Sequence, residues 1–179
     1  SGTRDIFGAR VGPGGGISDP AGIPISTASG NQYGPDVAFD GANYLVVWDD
    51  LRSGTTDDIY GARVTPAGGV LNSSGIAIST ATGNQEVPTV AFDGTSYLVV
   101  WEDSRDHPTV GNDVYTTRVT TAGTVVTPAG TPVSTTVGGA GTWSFEPTVA
   151  AGGGTFFVSW EDTRARSDAW GARVSSGGV

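Results

Sequence analysis

One pattern of hydrophobic and polar positions recurs three times along the chain. Its fullest copy, PTVAFDGTSYLVVWEDSR at residues 88–105, contains two short apolar runs separated by Asp-Gly. The second run is apolar at every position from Tyr97 to Trp101. Successive side chains of a strand point to opposite faces, so both faces of this strand are apolar and both must be covered.

The other copies fix the period of the repeat. PDVAFDGANYLVVWDDLR begins at residue 35 and PTVAAGGGTFFVSWEDTR at residue 147. A second motif follows each copy and also opens the chain, as DIFGARV, DIYGARV, DVYTTRV and DAWGARV. Its first residues, Asp5, Asp58, Asp113 and Asp168, are 53, 55 and 55 positions apart. A period of this length indicates propeller blades or another repeat array.

Four strands are expected in each unit. In the second repeat, strand A covers Thr89–Phe92, strand B covers Tyr97–Glu102, strand C begins at Asp113 and strand D ends near Val133. An Asp-Gly turn of the hairpin type joins A to B, and strands C and D are progressively more polar. This gradient predicts an all-β fold of the β-propeller type, built from four-stranded antiparallel blades. A β-sandwich is the alternative, although its strands normally keep one solvated face.

The repeats divide a single domain, 1–179, into one partial unit and three further ones. We assign residues 1–27 to a C–D strand pair, 35–80 to repeat 1, 88–135 to repeat 2 and 147–179 to an incomplete repeat 3. Propellers close with about four to eight blades, so these units are too few for a standard ring. We therefore expect either a longer chain or copies that complete one another, with GISDPAGIPIST of one copy extending the last unit of the next. Such head-to-tail pairing gives a ring or a filament.

Composition excludes several classes of partner. The formal charge is -9 and all nine basic residues are arginine, so a nucleic acid would meet net repulsion. No stretch reaches the roughly 18 apolar residues of a membrane span. Cysteine is absent, which removes disulfides, thiol nucleophiles and cysteine-based metal sites. No cofactor is expected.

The repeat resembles those of secreted or surface-associated bacterial β-propeller proteins. Their units carry YLVVWxDxR, then DIYGxRV and a closing Gly-x-x-Ile-Ser, and the match spans essentially the whole chain. The resemblance implies the propeller fold and an extracellular or cell-surface location in a bacterium. The similarity to the sialidase Asp-box is faint, because no copy has its Ser-x-Asp-x-Gly-x-Thr-Trp order and the third has Ala151-Gly152 in place of Asp-Gly. No sialidase chemistry is implied.

A Trp-x-Asp-x-Arg motif and the Asp that opens strand C form the most conspicuous polar set. Its members are Asp50, Arg52 and Asp58, then Asp103, Arg105 and Asp113, then Asp162, Arg164 and Asp168. We expect each arginine to tie two carboxylates across the B-to-C connection, as a structural clamp. The alternative is a calcium site, but no copy has the Asp-x-Asp-x-Asp-Gly spacing of a known calcium loop.

The candidate binding loops are the places where the repeats differ. The second B-to-C loop is enlarged and contains Asp106 and His107, and a longer D-to-A connection introduces Trp143. Both loops emerge on one face of neighbouring blades, and an exposed tryptophan there, together with Tyr33, could stack on a glycan or anchor a matrix partner. The alternative is neutral variation in loop length.

The sequence favours a non-catalytic module with a structural, adhesive or recognition role that associates with copies of itself or with the rest of a longer chain. The adjacent Glu102 and Asp103 face opposite sides of a strand and cannot flank one glycosidic bond. His107 lacks a placed partner for general-base chemistry. The alternatives are a lectin-like carbohydrate-binding module and a glycoside hydrolase-like propeller enzyme.

Overall fold

The computed structural model describes residues 3–105, 111–134, 143–163 and 168–175. These residues form thirteen strands. The strands are β1 (Ile6–Gly8), β2 (Ile23–Ser26), β3 (Gln32–Phe39), β4 (Tyr44–Asp50), β5 (Asp58–Val64), β6 (Ile76–Ser79), β7 (Gln85–Phe92), β8 (Ser96–Asp103), β9 (Asp113–Thr120), β10 (Thr131–Pro132), β11 (Ser144–Gly152), β12 (Thr155–Asp162) and β13 (Asp168–Val174). Nowhere in these ranges is there a helix of the length and apolarity that a bilayer span requires.

The strands form a series of antiparallel sheets in chain order. Strands β3–β6 form blade 1 and β7–β10 form blade 2, each a four-stranded meander. Strands β11–β13 form the three-stranded blade 3, and β1 pairs with β2 to form what we call the N-terminal pair. The all-β prediction with four-stranded antiparallel blades is confirmed.

Successive sheets pack face to face, each pair with its own core. The core between blades 1 and 2 contains Leu45, Val47, Tyr97 and Trp101. A second core joins blades 2 and 3, and a third joins the N-terminal pair to blade 1. Strand β8 contributes alternate side chains to two cores and is buried along its whole length, as its doubly apolar pattern predicts. A two-sheet β-sandwich would have a single core instead.

The first strand of each blade is longer than the sequence indicates, because it continues beyond an irregularity. Strand β7 begins at Gln85 rather than Thr89, and its register with β8 shifts between Glu86 and Thr89. Blades 1 and 3 shift register at the same position. A residue with positive φ lies in each shift, directly before a proline. These residues are Gly34 (φ 52°), Val87 (φ 55°) and Glu146 (φ 51°). The repeated bulge therefore turns one backbone N–H of each blade away from its own ladder.

Candidate functional site

The Trp-x-Asp-x-Arg motif of blade 1 forms a bidentate ion pair between a buried carboxylate and a half-buried arginine. Trp48 donates its Nε1–H to Asp50 Oδ2 over 2.8 Å. Arg52 donates from Nε to Asp50 Oδ1 at 2.8 Å and from Nη2 to Oδ2 at 2.6 Å. The guanidinium also lies 3.7 Å from the ring centroid of Tyr60. Paired donors of this geometry make a strong, orienting contact.

Blade 2 repeats the arrangement. Trp101 donates to Asp103 at 2.8 Å, and Arg105 binds the same carboxylate through two donors at 2.8 and 2.6 Å. Arg105 stacks 4.0 Å from the ring centroid of Tyr115 and donates to the carbonyl oxygen of Ala129 at 2.6 Å. The pair thus joins the end of β8 to the turn that precedes β10.

The third copy is described only in part. Trp160 donates to Asp162 at 3.4 Å, and the Ser144 hydroxyl donates to the same carboxylate at 3.1 Å. Arg164 lies outside the described residues. Asp168 lies opposite Asp162 in the β12–β13 ladder.

In blade 1 the second partner of the arginine is a carbonyl oxygen and not the expected carboxylate. In blade 1 the remaining Arg52 donor, Nη1, binds the carbonyl oxygen of Ser74 at 2.8 Å, so the arginine ties β4 to the β5–β6 turn. Asp58 lies across the ladder from Asp50, and burial and the charge of Asp50 raise its pKa, against a smaller opposing effect of Arg52. In blade 2 the Ser134 hydroxyl donates to Asp113 at 3.4 Å. The B-to-C connection is therefore fixed through the turn before strand D.

A second row of carboxylates points the other way, into the junctions between blades. Glu102 precedes Asp103 and faces blade 3, where its Oε1 accepts the backbone N–H of Glu146 at 2.7 Å. Asn112 donates to Glu102 Oε2 at 3.2 Å. Asp49 holds the equivalent place in blade 1, where the backbone N–H of Val87 in blade 2 lowers its pKa against the larger opposing effect of burial. Each of the two acids thus faces the positive-φ residue of the next blade.

Sequence reasoning identified Glu102 only as a residue facing away from Asp103, and it missed Asp49 as an acceptor. The signal was present, since an acid stands between Trp and Asp in all three copies. The backbone N–H that the acid faces could not be predicted from the sequence, because it belongs to a bulge that has a different residue type in each blade.

The surroundings of Asp49 are strongly acidic. Burial, followed by the charges of Asp57, Glu86 and Glu102, raises the pKa of Asp49 to about 8. Burial and the charge of Asp57 also raise the pKa of Glu86. Oδ1 of Asp49 and Oδ1 of Asp57 are buried without a hydrogen-bond partner among the described residues. The junction between blades 1 and 2 therefore buries a carboxyl group whose surroundings favour its protonated form.

Nothing in the described ranges forms a metal centre: no three His, Cys, Asp or Glu side chains converge on a point where an ion could be held. The carboxylates of Asp50 and Asp103 each have a tryptophan and an arginine as their partners.

Two of the four loop residues expected to bind a ligand are described. Trp143 is 36% exposed, and its backbone N–H binds the Thr163 hydroxyl at 2.9 Å. The ring of Tyr33 lies 5.1 Å from the guanidinium carbon of Arg4. Asp106 and His107 lie outside the described residues.

A concave apolar surface lies between the N-terminal pair and blade 1, and we call it the blade 1 groove. It encloses about 500 Å³ and is lined by Phe7, Ile23, Val37, Tyr44 and Val46, among others. Val37 is 54% exposed and Tyr44 is 37% exposed. At the other end of the array, Phe157 is 54% exposed on β12. Apolar side chains are therefore exposed both on blade 1 and on blade 3.

No protein-family model matches the chain, and no curated protein matches it. The solved structures that are similar to it include the following two, both at low identity. A GH43 endo-arabinanase from Bacillus licheniformis has 15% sequence identity and a TM-score of 0.48, over 83% of this chain and 56% of that one. The subtype N10 neuraminidase-like protein of A/little yellow-shouldered bat/Guatemala/060/2010 has 10% identity and a TM-score of 0.42, over 81% of this chain and 44% of that one. The chain thus spans about half the length of these structures.

Proposed function

We propose that this chain is a non-catalytic β-propeller-type module of an extracellular or cell-surface protein, and that it acts as a structural or adhesive element. In this role it associates through the exposed apolar surfaces of blade 1 and blade 3. The observation that carries the proposal is the blade 1 groove, where Val37 is 54% and Tyr44 37% exposed. Their repeat equivalents on blade 2, Val90 and Tyr97, are 6% and 0% exposed, because blade 1 covers them.

Burial of this surface supplies the driving force. Apolar area removed from water contributes about 25 cal/mol per Å². Contiguous exposed apolar surface is also typical of interaction sites. The internal junctions demonstrate that this face packs well against another sheet of the same repeat, since Tyr97, Leu45 and Val90 belong to one buried core.

The carboxylates support a structural role rather than catalysis. Asp50 and Asp103 are held by tryptophan and arginine donors, and Glu102 binds the backbone of the next blade. A general acid or nucleophile must instead meet a substrate. These contacts repeat from blade to blade, as structural contacts do, whereas an active site is a single asymmetric arrangement.

The native mass of the chain tests the proposal. Light scattering across a concentration series is expected to show a mass above the 18.1 kDa of one chain. Tyr44→Glu places a charge in the groove and is expected to shift the equilibrium toward the monomer. Leu71→Glu is the control, because Leu71 is similarly exposed (48%) but lies outside the groove lining. A strictly monomeric wild-type chain at high concentration contradicts self-association.

Glycan binding is the second candidate, and the exposed Trp143 favours it. An aromatic side chain on a loop offers a flat apolar surface on which a sugar ring can stack. Titration against a glycan panel tests this, with Trp143→Ala expected to lose affinity and Trp170→Ala, 45% exposed on blade 3, to keep it. Equal affinity of both variants and the wild type for a bound glycan removes Trp143 from the site.

A further inference from the structure

The two ends of the blade array carry complementary halves of one junction. Within the array, the acid between Trp and Asp of one blade faces the N–H of the positive-φ residue of the next. Glu102 accepts the N–H of Glu146 at 2.7 Å, and Asp49 faces the N–H of Val87 in the same way. Glu161 is the equivalent acid of blade 3, and it is exposed. Gly34 is the positive-φ residue of blade 1, and it is also exposed.

The apolar side chains at the two ends match in the same register. Leu45 of blade 1 shares a core with Val90 and Tyr97 of blade 2. The repeat equivalent of Leu45 in blade 3 is Phe157, and the equivalents of Val90 and Tyr97 in blade 1 are Val37 and Tyr44. All three of these end residues are exposed. Blade 3 of one copy therefore offers the surface that the blade 1 groove of another copy needs.

The strands at the ends are also interchangeable. The segment 5–11, which contains β1, reads DIFGARV, and the segment 168–174, which forms β13, reads DAWGARV. Strand β1 pairs over only three residues, with a register irregularity, whereas β13 pairs with β12 over seven. Exchange of equivalent elements between copies is a route to oligomers that requires little new surface.

Among the described residues blade 3 has three strands, and a strand of the β2 type would make the fourth. In blade 1, β6 (IAIS) pairs with β5, and the preceding Gly75 packs on Tyr60. Strand β2 has the related sequence IPIS and the same burial pattern, and its preceding Gly22 packs on Phe7. On β13 the equivalent aromatic residue is Trp170, which is 45% exposed. A β2 strand placed there would cover it.

We propose that two copies of this chain close head to tail into a six-bladed ring. In each copy β2 becomes the fourth strand of the partner's blade 3, and the partner's β13 takes the place of β1. Glu161 then accepts the N–H of Gly34 across the junction, and Phe157 fills the blade 1 groove. Each copy contributes three blades, and the total falls within the range of about four to eight in which propellers close. This inference rests on the self-association proposed above and specifies its geometry.

Engineered cysteines test the geometry directly, because the native chain has none. The variant Phe157→Cys with Val37→Cys places two thiols in each chain that face the partner's thiols in the ring. Under mild oxidation, non-reducing electrophoresis is expected to show one covalent dimer of twice the 18.1 kDa chain mass. The matched control is Phe157→Cys with Val126→Cys, since Val126 is equally open (58%) but lies on blade 2, away from the groove. It is expected to remain largely uncrosslinked.

The single variants complete the test. A mixture of Phe157→Cys and Val37→Cys chains is expected to form one mixed dimer, whereas neither variant alone is expected to link. A ladder of higher multimers from the double variant would mean that successive copies form an open filament instead of a closed ring, and this result overturns the ring. Crosslinking of the Val126 control to the same extent, or no crosslinking in a chain that light scattering shows to be dimeric, overturns the geometry while self-association stands. A monomer by light scattering overturns both.

Discussion

The junction between blades 1 and 2 and the open blade 1 groove present the same residues in different environments. Tyr97 is fully buried in the junction, and its equivalent Tyr44 is 37% exposed in the groove. The sequences around the two, NYLVVWDD and SYLVVWED, are almost the same. The difference teaches that burial in a repeat array is a property of the neighbour and not of the motif, since each unit buries one face only if another unit covers it.

Truncation of the two tyrosines gives the largest expected contrast. Tyr97→Ala empties the core of the junction and removes the hydrogen bond from the hydroxyl to the Asn43 carbonyl, so a loss of about 3–5 kcal/mol in the free energy of unfolding is expected. Tyr44→Ala is expected to lower the free energy of unfolding much less at low protein concentration, because Tyr44 is exposed in the single chain. Urea unfolding of both variants measures this, and equal losses at every concentration contradict the comparison.

The ion pair of Asp103 in blade 2 is expected to contribute more to stability than the exposed ion pair of Asp19 in the N-terminal pair. Asp103→Ala leaves the Trp101 and Arg105 donors without their buried acceptor and is expected to cost about 3 kcal/mol. Asp19→Ala breaks the exposed pair with Arg10 in the N-terminal pair, and little change in the unfolding midpoint is expected. A larger loss of stability from Asp19→Ala than from Asp103→Ala, measured by urea unfolding, contradicts this expectation.

The acidic junction is expected to make stability fall as pH rises. Burial and neighbouring acids raise the pKa of Asp49 from 3.8 to about 8 in the folded chain. The stability from its protonated form is complete below about pH 4 and is lost as pH rises through about 8. A pKa difference of one corresponds to about 1.4 kcal/mol of free energy. Asp49→Asn is therefore expected to reduce the change in the free energy of unfolding between about pH 4 and about pH 8 by at least that amount.

Urea unfolding at several pH values between 4 and 9 measures the effect of Asp49→Asn. Glu161→Gln is the matched control, measured at a protein concentration low enough that the chain is monomeric, because it alters the equivalent acid where no described blade of the same chain covers it. Equal slopes for the wild type and Asp49→Asn show that the junction does not depend on this proton.

Substitutions at the positive-φ residues of the bulges are expected to give the smallest changes in stability. Val87 is a β-branched residue at φ 55°, where the side chain crowds the backbone. Val87→Asn is expected to stabilise the chain by about 1 kcal/mol, since Asn tolerates this region. Gly34→Val, the reverse change at the open end, is expected to destabilise by a similar amount. Shifts in the urea midpoint check both, and a loss from Val87→Asn shows that the valine side chain contributes more than its backbone costs.

Much of the blade could be predicted from the sequence. The doubly apolar run Tyr97–Trp101 predicted a strand covered on both sides, and β8 is buried throughout. The pairing of Arg105 with Asp103 follows from their spacing, because a two-residue separation at a strand end brings the guanidinium back onto the carboxylate. The contacts of Asp49 and Glu102 could not be predicted, since they depend on a bulge in another blade.

The sequence by itself determined the unit: its period, its strand pattern and the side chains that each strand sends to either face. These features are local, and the alternation of a strand fixes them within a few residues. Only the tertiary structure decided which copies of a shared motif are buried, where Arg52 finds its second acceptor and how far Asp49 retains its proton. Those properties depend on solvent exclusion and on charges brought together from separate blades.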